Sequence, residues 1–150
     1  MDALKLLKDD HDKVKKILTE LEDTTERALK TREELFGRLK TMVVAHETIE
    51  EEILYPALKK HPKAEDIVLE GYEEHHVADL LVGEITETPY DDETWGAKLK
   101  VLKESLEHHI EEEEGDMFKQ ARDVFDDDEL EDLGRRMEEL RQLGEQVLSA

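Results

Sequence analysis

The sequence predicts an all-α fold, an up-down-up-down antiparallel four-helix bundle with an additional C-terminal helix. Apolar residues recur at spacings of three and four along five segments, which is the helical period, and no segment alternates as a strand would. The composition, with 42% charged, 37% apolar and 5% aromatic residues and a mean hydropathy of −0.73, is typical of long amphipathic helices. Short interruptions between the segments favour antiparallel neighbours. We expect a single domain over residues 1–150.

The first two helices follow from two apolar seams. The first seam is formed by Leu4, Leu7, Val14, Leu18 and Leu21. Asp2, just before it, is a suitable N-cap because its carboxylate can accept from free backbone N–H groups. The second seam is formed by Leu35, Leu39, Met42 and Ile53. Pro56 and Pro62 predict that this helix weakens or ends within residues 55–61, since proline removes a backbone donor.

Three further seams predict the remaining helices. The third seam is formed by Val68, Tyr72, Ala78, Val82 and Ile85, the fourth by Trp95, Leu99, Leu102 and Leu106, and the fifth by Leu130, Leu133, Met137, Leu140 and Val147. Residues 88–92 break the third helix, and the acidic run 126–128 can cap the fifth. We expect the four-helix bundle over residues 1–122. A shorter C-terminal helix, 127–148, should cover one flank, although its seam could instead make a dimer contact.

The sequence also contains an internal repeat. HETIEEEILYP (46–56) aligns with HIEEEEGDMFK (109–119), and DDHDKVKKIL (9–18) aligns with EEHHVADLLV (73–82). The bundle is therefore predicted to consist of two copies of a helix pair, offset by about 64 residues. Such an arrangement has pseudo-twofold symmetry and would place a two-centre site on the axis.

Four of the seams are interrupted by histidine at a position where a core residue is expected, and two of these helices carry glutamate four residues later. Residues i and i+4 share one helical face, so these side chains should point into the bundle together. Burying them without partners would be costly, whereas metal ligation would satisfy every group. A purely structural network of carboxylates and imidazolium groups is the alternative. The six residues are His11, His46, Glu50, His75, His109 and Glu113.

The other polar residues near these positions are expected to lie outside the site. His76 and His108 fall on more polar helical faces than His75 and His109, and the repeat independently selects the latter pair. His61 is expected in a loop. The remaining glutamates of the two acidic helices are expected to form solvated faces; they are Glu47, Glu51, Glu52, Glu111, Glu112 and Glu114.

Several rival chemistries can be excluded from the sequence. HETIE lacks the second histidine of the zinc-protease motif HExxH, and only residues 73–76 supply the Glu-x-x-His of ferritin-like bundles, which need it twice. No serine or cysteine triad and no glycine-rich phosphate loop can be identified. The formal net charge of −21 disfavours nucleic acid and anionic lipid as partners.

Location is constrained by three absences in the sequence. No apolar run approaches the roughly 20 residues that a membrane span requires. The N-terminus carries acidic residues where an export signal would carry an apolar core. The chain has no cysteine, which excludes disulfides and thiolate metal sites. We therefore expect a cytoplasmic protein that does not enter a membrane.

The pattern His…HxxxE…His…HxxxE resembles the hemerythrin family, specifically bacterial hemerythrin-like (HHE cation-binding) domains. The phrases HETIEEEILYP and HHIEEEEGDMF resemble the signatures of the family's second and fourth helices, and the resemblance covers residues 1–122. It implies a non-haem centre of two iron ions inside the bundle, with an oxo, hydroxo or water bridge. By this resemblance one iron binds His11 and His46, the other binds His75 and His109, and the ions are bridged by two carboxylates, Glu50 and Glu113.

One departure from the family bears on function. Oxygen-carrying hemerythrins have a fifth histidine one turn before the position of His75, where this chain has Gly71. The resemblance therefore implies an iron pair that is more open or differently ligated, and the missing histidine argues against reversible oxygen carriage. Glu47, Tyr55 and Tyr72 are additional candidates for a ligand or a neighbour of the ligands, although either tyrosine could instead be an ordinary core aromatic.

Three functions remain open on this basis. The first is an enzyme that disproportionates peroxide as a catalase does, or that carries out related chemistry with nitric oxide. The second is a protein that binds or senses dioxygen, nitric oxide or iron without turnover. The third is a structural metal module acting through its acidic surface. The sequence carries no recognisable output domain, which favours the enzyme; it specifies neither the redox partner nor the oligomeric state.

Overall fold

A computed structural model describes the backbone of residues 1–149 and the side chains of residues 1–146, so Val147 of the fifth seam lies outside the described side chains. The described chain is all-helical and contains no β-strand. Its α-helices are α1 (Ala3–Glu22), α2 (Leu29–Ile49), α3 (Tyr55–Lys59), α4 (Glu65–Thr86), α5 (Trp95–Glu112), α6 (Phe118–Val124) and α7 (Asp127–Ser149). Within residues 1–149, none of these helices has the length and apolar character needed to span a bilayer.

Two π-helical turns interrupt the long helices. Glu50–Leu54 joins α2 to α3, and Glu113–Met117 joins α5 to α6. A π-turn holds an extra residue, so it rotates the following side chains relative to the preceding helix. Pro56 lies in the first turn of α3, where its missing N–H is not needed. The prediction that this helix is disturbed near Pro56 and ends by residue 61 is confirmed, because α3 ends at Lys59.

The predicted helix caps are present. Asp2 Oδ1 accepts a hydrogen bond from Lys5 N at 2.8 Å, which fixes the start of α1. At the start of α7, Asp126 Oδ1 accepts from Glu129 N at 2.8 Å and Glu129 Oε1 accepts from Asp126 N at 3.1 Å, a reciprocal capping box. The prediction that the C-terminal helix is the shorter one is wrong, since α7 has 23 residues and α1 has 20. Arg135 supports its length by pairing with acidic residues of the same helix.

The core consists of two apolar clusters. One cluster contains Leu7 of α1 and the buried side chains of α7, and the other contains Val14 of α1 and Trp95 of α5. His11 lies between Leu7 and Val14, so a polar zone separates the two clusters.

The core face of α2 differs slightly from the predicted seam. Phe36 and Val43 are buried, whereas Leu35 and Met42 are only partly buried. The reason is that the buried stripe of a helix is wide enough to shift by one position without disturbing the residues at its centre, such as Leu39.

Candidate metal centre

Six buried side chains converge between the two apolar clusters; we call them the inner residues. Their ligand atoms form two groups, each with all its atoms within 4.8 Å of one another. The first group contains His11, His46 and Glu113, and the second contains Glu50, His75 and His109. The histidines come from α1, α2, α4 and α5, and each glutamate is the first residue of a π-turn. The six residues that interrupt or follow the apolar seams are thus brought together.

Each inner glutamate touches histidines of both groups. Glu113 Oε1 lies 3.0 Å from His11 Nε2, while its Oε2 lies 3.2 Å from His109 Nε2. Glu50 Oε1 lies 3.0 Å from His46 Nε2 and 3.1 Å from His75 Nε2. Both carboxylates therefore lie between the two groups, as a bridge between two ions would require.

Four further carboxylates bind the outer edge of the imidazoles; we call them the outer carboxylates. His11 Nδ1 donates to Glu114 at 2.7 Å, His46 Nδ1 to Asp10 at 2.9 Å, His75 Nδ1 to Glu51 at 2.7 Å, and His109 Nδ1 to Glu74 at 2.7 Å. An ionised carboxylate only accepts, so each Nδ1 carries the proton and each Nε2 can direct a lone pair at the centre. Metal-ligating histidines are commonly held in this way.

The outer carboxylates correct the expectation that the acidic neighbours are merely solvated. Glu51 and Glu114 are only partly exposed, because each reaches the imidazole of the opposite repeat. Asp10 and Glu74 were not singled out at all. The repeat contains the signal that could have found all four. Asp10 aligns with Glu74 and Glu51 aligns with Glu114, and each directly precedes or follows an inner residue.

Charge at the centre is balanced between acids and imidazoles. Burial alone would lower the pKa of an imidazole, but Glu113 and Glu74 outweigh it and raise the pKa of His109 to about 10. The pKa of His46 is likewise raised, against the effect of burial, by Glu50 and Asp10. Without a cation, the buried carboxylates therefore favour the protonated forms of His46 and His109. A metal ion would replace that positive charge.

The residues present fit a metal ion. Glu50 Oε2 is buried and has no hydrogen-bond partner among the described residues, and His109 Nε2 lies 3.2 Å from Glu113 Oε2 without hydrogen-bond geometry; an ion would satisfy both. The donor set is four imidazole nitrogens and two carboxylates, with no thiolate. Such mixed nitrogen and oxygen ligands suit iron and also tolerate zinc or manganese.

Tyr55 enters the centre beside the inner residues. Its hydroxyl donates to Glu113 Oε2 at 3.2 Å and lies 3.4 Å from His75 Nε2, and its ring stacks on His75 at 5.4 Å. The π-turn from Glu50 ends at Tyr55, whose N–H donates to Glu50 O, and this brings both side chains to one face. Burial raises the pKa of Tyr55, and the Glu50 and Glu113 carboxylates raise it further, so the phenol stays protonated.

Gly71 explains why the phenol fits. A Cβ at Gly71 would lie 2.8 Å from Tyr55 Oη and 3.0 Å from Tyr55 Cζ. Any side chain at position 71 would therefore collide with Tyr55. The expectation that the missing fifth histidine leaves this side open is corrected, because the ring of Tyr55 fills the space.

The other two additional candidates lie nearby but outside both groups. Tyr72 is half-buried, its ring meets Tyr55 edge-on at 5.1 Å, and its hydroxyl points at the backbone oxygen of Glu51 at 3.5 Å. Glu47 is buried, so it does not belong to a solvated face. Burial and a hydrogen bond with Asp79 raise the pKa of Glu47 to about 8.

The remaining histidines lie outside the buried cluster. His76 is exposed and His61 packs edge-on against Phe125 at 5.5 Å. His108 is exposed and lies 3.2 Å from Glu112 and 3.8 Å from Glu74, forming a third acidic group at the surface.

A small cavity of about 10 Å³ lies beside that surface group. Three acidic residues from outside the inner set and two inner residues are among those that line it. The lining residues are Ile67, Glu70, Glu74, His109, Glu112, Glu113 and Met117. The volume is that of about one water molecule, so only a very small molecule would fit in the cavity.

Comparisons with known proteins found one family and one similar fold. Residues 2–121 match the family description "Hemerythrin HHE cation binding domain". No curated protein sequence matches the chain. Among solved structures, the chain is similar to a hemerythrin HHE cation binding domain-containing protein from Mycobacterium kansasii. The two are 26% identical, the match covers 95% of this chain and 86% of the other, and the TM-score is 0.83.

Proposed function

The chain belongs to the hemerythrin HHE cation-binding family, and we propose that it holds two iron ions among its inner residues and breaks down peroxide with them. Four imidazoles and two carboxylates support two ions, and the mixed donor set supports iron. In this assignment His11 and His46 would hold one ion, His75 and His109 would hold the other, and Glu50 and Glu113 would contribute a carboxylate to both.

The observation that carries the proposal is the position of the Tyr55 hydroxyl, which contacts Glu113 and His75. The ring of Tyr55 lies against Gly71, the position at which oxygen-carrying hemerythrins have a further histidine. The net reaction converts two molecules of hydrogen peroxide into two of water and one of dioxygen. When bound, two iron ions would supply and recover the two electrons exchanged between successive peroxide molecules and would polarise their oxygens.

The protein's own groups would manage the protons of this reaction. Reduction of the first peroxide to water consumes two protons, and oxidation of the second releases two. Tyr55 Oη carries a proton beside the centre, so it would donate one of the two protons to the departing oxygen while water supplies the other, and the second peroxide would return one proton to Tyr55 and one to water. Leu7 and Val14, one turn to either side of His11, are buried and limit the entry of bulk water.

The finer architecture is part of the same proposal. Residues 1–122 would form an up-down-up-down antiparallel bundle, and the C-terminal helix would cover one flank within one cytoplasmic domain. Burial of Leu130, Leu133 and Met137 of α7 in the same cluster as Leu7 of α1 supports this placement.

The proposal is tested by metal analysis and by oxygen release from added peroxide. We expect about two irons per chain, an absorption spectrum typical of bridged iron, and steady oxygen evolution. His46→Ala should abolish turnover and Tyr55→Phe should lower it about 10²-fold without loss of iron. Tyr90→Phe is the matched control, because Tyr90 packs against Trp95 in the distant apolar cluster.

Three results would count against the proposal. A metal content near one per chain, or zinc alone in iron-sufficient cells, would contradict the paired iron centre. Stable, reversible dioxygen binding with negligible peroxide turnover would favour the binding protein over the enzyme. Equal turnover in Tyr55→Phe and Tyr90→Phe would remove Tyr55 from the reaction.

A further inference from the structure

The two repeats of the centre differ in how their outer carboxylates are held. Asp10 and Glu74 occupy matching positions, and each accepts a hydrogen bond from the Nδ1 of an inner histidine. Glu74 otherwise faces the exposed His108, 3.8 Å away. Asp10 is instead held by a guanidinium from outside the repeat, that of Arg141 in α7.

Arg141 grips Asp10 with two parallel hydrogen bonds. Its Nη1 donates to Asp10 Oδ1 at 2.9 Å, and its Nη2 donates to Asp10 Oδ2. Asp10 Oδ2 also accepts from His46 Nδ1 at 2.9 Å. A planar guanidinium fixes both the position and the plane of a carboxylate, which a single contact cannot do. The orientation of the His46 imidazole is therefore linked to α7.

The position of α7 does not depend on this ion pair. Leu130, Leu133 and Met137 of α7 are buried in the core. Gly134 permits close approach, because a Cβ there would collide with the backbone oxygen of Met1. Hydrophobic docking thus places the helix, and Arg141, whose side chain is 21% exposed, reaches inward from it.

We propose that Arg141 is a positioning residue of the metal centre, which holds the His46 imidazole through Asp10 and so fastens one of the two metal positions to the C-terminal helix. This inference rests on the proposed function, because it concerns retention of an ion in the same centre. Through Arg141, α7 acts on the half of the centre that contains His46. In the other half, no guanidinium among the described residues holds the matching carboxylate, that of Glu74.

The physical basis is the orientation of a ligand. His46 must keep its Nδ1–H directed outward if its Nε2 lone pair is to bind an ion. Loss of the partner that orients a ligating histidine costs about 10- to 100-fold in metal affinity. In Arg141→Met, Asp10 can rotate and His46 loses its fixed acceptor, while the ion held by His75 and His109 keeps its own outer carboxylates.

The test compares Arg141→Met with Arg135→Met in the full-length chain loaded with iron. Arg135 lies on the same helix and pairs with Asp132 and Glu139. We expect one of the two irons to be lost to a chelator about 10- to 100-fold faster in Arg141→Met, and at the normal rate in Arg135→Met. Arg141→Lys keeps the charge without the two parallel bonds and should lie between them.

Two further measurements separate positioning from a general loss of stability. If Arg141 acts through Asp10, then Arg141→Met should add nothing to Asp10→Ala in the double variant. Nitrogen-detected NMR of the metal-free protein should show faster solvent exchange of the His46 Nδ1 proton in Arg141→Met than in Arg135→Met, because Asp10 no longer holds it in a fixed hydrogen bond. Circular dichroism melting confirms that each variant is folded.

The outcomes are distinct. Unchanged release of both irons in Arg141→Met, or the same acceleration in the Asp10→Ala background, would overturn the positioning role. If the native chain does not hold two irons, the proposed function fails. The exchange of the His46 Nδ1 proton then decides the role of Arg141 by itself, and an unchanged rate would overturn it.

Discussion

Gly71→Ala is the perturbation that most directly tests the link between Gly71 and Tyr55. An added methyl group would lie 2.8 Å from Tyr55 Oη and 3.0 Å from Cζ, so something must move. The Tyr55 side chain is fully buried, its hydroxyl binds Glu113, and its ring stacks on His75. The phenol can give way only by leaving these contacts.

A matched variant separates the destabilisation caused by the collision with Tyr55 from the effect of replacing glycine by alanine in a helix. Gly83 lies in the same helix, α4, and a Cβ there would meet nothing within 4 Å. Alanine for glycine inside a helix stabilises by roughly 0.5–1 kcal/mol, and this term applies to both positions. Overpacking a filled core costs about 1–3 kcal/mol and applies only to Gly71. Gly71→Ala should therefore be about 1–3 kcal/mol less stable than Gly83→Ala.

The assay is urea unfolding of both variants, monitored by circular dichroism. The free energies of unfolding are compared using the same slope against urea concentration for both variants. We also expect Gly71→Ala to lower peroxide turnover while Gly83→Ala does not, because only the former displaces the phenol. Adding Tyr55→Phe should recover part of the stability, since the closest contact is with the hydroxyl. Equal stability of Gly71→Ala and Gly83→Ala would refute the reasoning.

Three further predictions concern the inner residues and the outer carboxylates. Glu113→Gln should reduce the metal content measured by elemental analysis, whereas Glu111→Gln at an exposed position outside the three groups should not. Glu51→Ala should raise the metal dissociation constant about 10- to 100-fold, since it removes an outer carboxylate. An unchanged affinity would mean that Glu51 does not support His75 and is only a solvated residue. In the metal-free protein the pKa of His109 is raised from 6.5 to about 10 by Glu113 and Glu74 despite burial. The folded state therefore binds this proton more tightly than the unfolded state does. The resulting contribution to the free energy of unfolding is complete below about pH 6.5 and should be lost as the pH rises through about 10. Urea unfolding across this range should show the loss in the metal-free protein and a smaller change in the loaded one.

The inner residues could be predicted because each is governed by helical periodicity. A histidine such as His46 stands out where the seam requires an apolar residue, and Glu50 shares its face because it lies four residues later. The repeat then distinguishes His75 from His76. These arguments use only residues close in sequence, and helices preserve such spacing.

The outer carboxylates and Tyr55 depend on relations that periodicity does not contain. A run such as EEEE gives no local sign of which carboxylate meets a neighbouring helix. The π-turns change the helical register after Glu50 and Glu113, so a constant period of 3.6 misplaces the residues that follow. The pair of Asp10 with Arg141 joins residues 131 apart, and only the docking of α7 brings them together.

The two halves of the centre are related by the repeat but differ in ways that bear on which molecules can react. In one half the ring that stacks on the histidine is Tyr55, which carries a hydroxyl; in the other it is Phe118, on His11 at 6.2 Å.

The small cavity lies beside one half of the centre, where it is lined by His109 and by three carboxylates, those of Glu70, Glu74 and Glu112. Three carboxylates in the lining of this cavity, on a chain with a net charge of −21, repel anions and leave neutral molecules unaffected. Hydrogen peroxide is small and uncharged, so it satisfies both restrictions, whereas an anionic oxidant of the same size would be disfavoured. The approach to the centre and the proton on Tyr55 therefore support the same class of substrate.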